Sequence, residues 1–82
     1  LNRMVPDAEL DEFVAGWANR LAQGAPIALA HTKRLLNQSV QGSFADAIDA
    51  EGTAQQVTVT TADVKEAVRA FLGKREPTFE GR

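Results

Sequence analysis

The sequence contains no cysteine, so neither a disulfide nor a thiolate-bound metal can add to its stability. Its one histidine, His31, cannot assemble a metal cluster by itself. Positive charge is not in excess either. The formal net charge is −2, whereas a general binder of phosphate backbones is usually clearly basic. No apolar run is long enough to span a bilayer, and the first residues carry no signal-peptide pattern. Because the chain starts at Leu1-Asn2-Arg3 without an initiator methionine, that last absence says little about a longer protein. There is no glycine-rich phosphate loop of the Rossmann or Walker kind. Neither nucleic acid nor a membrane is therefore an expected partner.

What the 82 residues do provide is helical patterning. A chain this short buries only roughly 60% of the surface its unfolded form exposes, so its own core must be thin. Leu1 to Pro6 reads as an extended lead-in. Pro6-Asp7 opens a first helix with Asp7 as the expected N-cap and Glu9 favourably placed in the first turn. Leu10, Phe13, Val14, Trp17, Ala18 and Leu21 form one helical stripe, and Gly24 marks its stop. A second helix begins at Ala25-Pro26, since proline in a first turn loses no hydrogen bond. Ile27, Ala30, Leu35 and Leu36 give it an apolar side, and Gly42 is its expected end.

Ser43 and Asp46 form an S-x-x-D start signal for a third helix. Its later stretch, Val57-Thr58-Val59-Thr60, is β-branched and alternating, which locally suits a strand. A lone strand has no partner here, so helix is expected to about Thr60. Thr61 or Asp63 caps a fourth helix, with Val64, Ala67, Val68, Phe71 and Leu72 on one face. Pro77 to Arg82 is a non-helical tail anchored by one aromatic residue. The fold class expected is all-α, with about four amphipathic helices and short turns. Those helices should bury much of their apolar surface against one another, and any face left uncovered marks an interface.

Little chemistry is visible. His31 reads as a solvated or satisfied histidine, because no second base or nucleophile is linked to it by spacing. Asp7, Glu9, Asp11 and Glu12 read as N-terminal helix charge, and Asp46, Asp49 and Glu51 as the polar side of the third helix. The cluster of Lys65, Arg69, Lys74 and Arg75 is either a solvated helix end or a site for an anionic partner.

Several phrases resemble the crotonase superfamily, the enoyl-CoA hydratase/isomerase group. Leu1-Asn2-Arg3-Met4-Val5-Pro6 is similar to the phrase closing that family's core domain. Leu21 to Ala28 and then Lys33-Arg34-Leu35-Leu36-Asn37 match its next two elements, and Ala47-Ile48-Asp49-Ala50-Glu51 resembles its "ALxxE". Thr61, Asp63, Glu66, Ala67, Ala70, Phe71, Lys74 and Arg75 follow the pattern of its last helix. Pro77, Phe79, Gly81 and Arg82 follow its closing "P-x-F-x-G-R". The resemblance runs in order along essentially the whole chain, and the last two phrases together are specific.

This resemblance implies residues 1–6 as the end of a connection from a core domain, and residues 7–82 as the C-terminal helical domain. The family's spiral core, with its oxyanion hole and catalytic glutamates, is absent from this chain, so no catalytic residue is expected in it. The implied role is trimerisation, often as paired trimers in a hexamer, and covering of the active site. The implied parent is a cytoplasmic enzyme of acyl-CoA thioesters, with hydration of 2-enoyl-CoA in fatty-acid oxidation as the expected reaction. No cofactor is implied, since coenzyme A belongs to the substrate. Phe71 and Lys74 match positions on the last helix that reach the coenzyme across a subunit boundary. Arg75 is expected to be structural. Gly73 departs from the better helix formers of many relatives, so the last turn is expected to fray and hold Lys74 loosely. A free-standing helical interaction module without catalytic activity is the alternative.

Overall fold

The computed structural model describes residues 1–82 and is all helical. After an extended lead-in, Asp7–Glu9 forms one 3₁₀ turn that runs into α1 (Leu10–Ala22); α2 (Pro26–Ser39), α3 (Phe44–Thr58) and α4 (Ala62–Leu72) follow. Asp7 does not cap α1. Neither the 3₁₀ turn nor α1 has a side-chain cap, and Glu9 N–H instead bonds the carbonyl of Pro6 at 2.9 Å. The proline fixes a φ of −58° that tightens the chain into a 3₁₀ start before the α-helical ladder begins.

Gly24 sits tightly in the α1–α2 connection: a Cβ there would lie 3.2 Å from the carbonyl of Leu21 and would push aside the Leu29 side-chain end, 2.7 Å away. Pro26 then sits in the first turn of α2, as its missing N–H permits. α2 stops at Ser39, three residues before Gly42, which donates instead to the carbonyl of Gln38. α3 starts on a full capping box. Asp46 N–H donates to Ser43 Oγ at 3.1 Å, and Ser43 N–H donates to Asp46 Oδ2 at 3.1 Å.

The β-branched end of α3 remains helical to Thr58, with Val59 as C-cap. Thr58 donates its hydroxyl to the carbonyl of Ala54 at 2.8 Å, and Thr53 does the same to Asp49 at 3.1 Å. Such bonds satisfy the hydroxyls but slightly weaken a helix; the stretch is helical because the chain offers no strand to pair with. Thr61 caps α4 by accepting the Val64 N–H.

Two pieces of packing define the shape. α2 and α3 lie against each other, and the start of α4 meets the start of α2 and the tail. There Ile27, Ala28, Thr58, Val64, Ala67 and Phe79 surround a small apolar cavity of about 200 Å³. Gly81, at φ +76°, lets the tail cross Pro26, whose Cγ lies 3.3 Å from where a Cβ would stand.

The helices do not bury their faces against one another as the patterning suggested. Only Ala54, Thr61, Asp63 and Ala70 are buried. The α1 stripe is exposed at Leu10, Val14, Trp17 and Leu21, and the Phe13 and Trp17 rings meet at a tilt of 40°, ring centres 5.4 Å apart. The molecule is a slab of 43 × 39 × 18 Å with a radius of gyration of 15.8 Å, against about 12 Å for a compact domain of this length. Its accessible surface is 7019 Å², where a folded monomer of this mass exposes about 4,800 Å².

Candidate functional site

Phe71 and Lys74 come together at the end of α4, and neither is covered by the rest of the chain. Phe71 is 83% exposed, far more than a ring of that size retains in a core. Lys74 is not on the helix. α4 ends at Leu72, Gly73 is the C-cap, and Lys74 adopts a left-handed conformation with φ +50°. It is the one non-glycine residue of the chain with positive φ.

The turn is not frayed. Lys74 N–H bonds the carbonyl of Phe71 at 3.2 Å, and Arg75 N–H bonds that of Ala70 at 3.0 Å. This is the paired 5→2 and 6→1 pattern of a Schellman motif, with lysine at the position usually taken by glycine. The expected loosening around Gly73 is thus corrected, because the backbone bonds of the cap replace those the helix loses.

Arg75 reaches back along α4. Its Nη1 and Nη2 donate to Glu66 Oε1 and Oε2 at 2.6 and 3.0 Å, a bidentate pair, and Thr78 N–H adds a third bond to Oε1 at 3.1 Å. The Arg75 guanidinium, then the Thr78 amide, hold the Glu66 carboxyl down from 4.5 to about 2. Arg75 is correspondingly raised by the same pair. The structural part expected of Arg75 is therefore filled, and its partner Glu66 is the residue that sequence reasoning left without a role. A spacing of nine falls outside the helical intervals of three and four that reveal ion pairs in a sequence. Only the opposite charges hinted at it.

Asp63, one of two capping candidates, does something else. It is buried, and its carboxylate accepts Glu80 N–H at 2.8 Å and Gly81 N–H at 2.9 Å, while its own N–H donates to Arg82 O at 3.2 Å. The tail is thus pinned to α4 at Glu66 and again at Asp63.

The remaining polar residues form no second site. His31 Nδ1 lies 3.0 Å from Arg34 Nη2, a contact in which the guanidinium donates and the imidazole accepts. No group of three or more His, Asp or Glu side chains is placed to hold a metal ion, and no helix is long and apolar enough to cross a membrane. A wider groove of about 550 Å³ runs between α2 and α3, walled by Leu35, Leu36, Ala47 and Ala50. No residue of α4 lines it, and its acidic edge of Asp46 and Glu51 does not suit an anion.

Fold and site together define an open helical domain that carries an exposed ring and an exposed cation on one capped turn. The family model for enoyl-CoA hydratase/isomerase matches residues 1–82. The chain belongs to this family, within the crotonase superfamily. It is 32% identical over 71 residues to a 2,3-dehydroadipyl-CoA hydratase of Escherichia coli K12, covering 87% of this chain and 28% of that protein. It is 30% identical over 80 residues to a 1,2-epoxyphenylacetyl-CoA isomerase of the same organism, covering 98% and 30% respectively. An enoyl-CoA hydratase structure from Geobacillus kaustophilus HTA426 superposes with a TM-score of 0.88 at 33% identity. That match covers the whole of this chain and 31% of the other. The chain thus spans under a third of the length of these relatives.

Proposed function

We propose that this chain is the C-terminal assembly and active-site-covering domain of an enzyme acting on acyl-CoA thioesters. Residues 1–6 serve as the connection from a core domain and residues 7–82 as the helical domain itself. The observation that carries this reading is surface. The chain exposes about 2,200 Å² more than a self-contained monomer of its mass would. A standard interface takes about 800 Å² from each partner, so the excess suits a body that packs against a core and against neighbouring subunits. A homotrimer, or two trimers forming a hexamer, is the assembly in view. Hydration of 2-enoyl-CoA in fatty-acid oxidation is the expected reaction, in the cytoplasm and with no cofactor beyond the coenzyme carried by the substrate.

In this reading Phe71 and Lys74 are the chain's contribution to the site. An ammonium suits the phosphates of coenzyme A, and an aromatic ring suits its adenine or apolar portion. The carboxylates and oxyanion donors that perform the reaction belong to the core.

The test is kinetic. In the full-length protein, Lys74→Ala raises the KM for crotonyl-CoA by about fivefold, the upper range for an exposed charge contact. The kcat is little changed, because ground and transition states lose the same interaction. An unchanged KM removes Lys74 from the site. The 82-residue chain alone gives no hydration of crotonyl-CoA; measurable turnover by it overturns the whole reading.

A further inference from the structure

We infer that Glu66 is a positioning residue for the coenzyme, acting through Arg75 on the left-handed turn that presents Lys74. The inference rests on the reading of Lys74 as a coenzyme contact and goes one residue behind it. A lysine in the left-handed region is disfavoured relative to a glycine, and such a conformation persists only where its surroundings over-determine it. Those surroundings are on either side of Lys74. Upstream, Phe71 O accepts the Lys74 N–H. Downstream, both terminal guanidinium nitrogens of Arg75, Nη1 and Nη2, are tied to Glu66, and Arg75 Nη1 also donates to Glu76 O at 3.2 Å.

Glu66 then takes Thr78 N–H, so the chain leaving the turn is held from two points. A bidentate arginine–carboxylate pair fixes orientation as well as distance. The charge centres of this clamp neutralise each other, which leaves Lys74 as the uncompensated cation of the turn. No ion pair or side-chain hydrogen bond occupies Lys74 itself. Glu66 touches neither substrate nor reacting atoms. Its part is to keep the Lys74 ammonium on one rigid turn; the Phe71 ring is held by α4 itself.

The experiment uses the full-length protein with two substrates, crotonyl-CoA and crotonyl-pantetheine, the second of which lacks every phosphate and the adenine. Glu66→Gln is expected to raise the KM for crotonyl-CoA by about the factor seen for Lys74→Ala, up to fivefold, with kcat and the crotonyl-pantetheine KM unmoved. Arg75→Lys, which keeps one donor but not the bidentate geometry, gives an intermediate rise and serves if Glu66→Gln folds poorly. In a Lys74→Ala background, Glu66→Gln adds nothing further, since the two act as one unit.

Three results overturn the inference. If Lys74→Ala raises KM and Glu66→Gln and Arg75→Lys do not, positioning by Glu66 fails while the coenzyme contact stands. A Glu66→Gln effect that is full-sized on top of Lys74→Ala, or equal for both substrates, assigns Glu66 a general structural role instead. If Lys74→Ala itself changes nothing, the underlying contact fails and the positioning falls with it.

Discussion

The Asp63 carboxylate accepts the backbone N–H of Gly81 at 2.9 Å, joining the first turn of α4 to a residue eighteen positions later. Because Glu80 N–H binds the other oxygen at 2.8 Å, Asp63→Ala leaves two amides without their acceptor. Glu80 is exposed and Gly81 half-buried, so water partly replaces the lost bonds, at a cost of about 1 kcal/mol. Hydrogen exchange of the Glu80 and Gly81 amides is expected to speed up severalfold in this variant. Exchange at the wild-type rate would show that the tail is held by other contacts.

Glu66 gives a pH signature. Its carboxyl is lowered from 4.5 to about 2 by Arg75 and the Thr78 amide. A lowered acid pKa stabilises the folded form above the ordinary value, and that contribution disappears as pH falls through the folded one. Attachment of residues 75–78 to α4 is thus complete above about pH 4.5 and lost progressively toward pH 2. Carbon-detected titration of the Glu66 carboxyl is expected to find its midpoint near the lower value, and Arg75→Ala is expected to move it up toward the ordinary one.

The capping box of α3 is open to a simpler test. Ser43→Ala removes the acceptor of Asp46 N–H and the hydroxyl that donates to Asp46 Oδ2 at 2.7 Å. Loss of such a cap costs about 1 kcal/mol, read as a lower midpoint in chemical denaturation. Asp46 is held below its usual range by the Ser43 hydroxyl and then by the Ser43 amide. By the same sign, its support for α3 fades as pH drops below the usual aspartate value. In Ser43→Ala that fade should be smaller, because the folded-state value returns toward the usual one.

Lys74→Gly separates conformation from charge. Glycine takes φ +50° without the penalty of about 1–2 kcal/mol that an L side chain meets there. The variant is expected to melt at higher temperature than wild type while binding coenzyme A less well. A lower melting temperature would mean that the lysine side chain contributes contacts of its own.

The uncovered stripe of α1 predicts behaviour in isolation. The 82-residue chain on its own is expected to associate as its concentration rises, followed by sedimentation. Val14→Ser with Leu21→Ser, two exposed residues of the stripe, should return it toward monomer. Association unaffected by these changes would place the sticky surface on another helix.

Most of the helical framework could be read from residue patterns because its determinants are local. Pro26 in a first turn, the Ser43–Asp46 box and the Thr61 cap each act within a few residues. Asp7 was misread because Pro6 tightens the chain before a capping geometry can form. The Val57–Thr60 segment is ambiguous in propensity and is helical to Thr58, in a chain with no strand for it to pair with. Asp63 and Glu66 were beyond reach for the opposite reason. Their partners lie nine to eighteen residues away, and nothing in the intervening spacing announces the meeting. Phe71 and Lys74 were named on family resemblance, which could not show that one turn joins them through the Lys74 N–H and the Phe71 carbonyl.

The left-handed backbone at Lys74 also sets two chemical demands against each other at one position. Glycine sits there at ease, and asparagine or aspartate nearly so, yet none of the three supplies a positive charge. Backbone conformation alone favours glycine. Under the proposed coenzyme contact, the lysine here supplies a charge that none of the conformationally easier residues could bring.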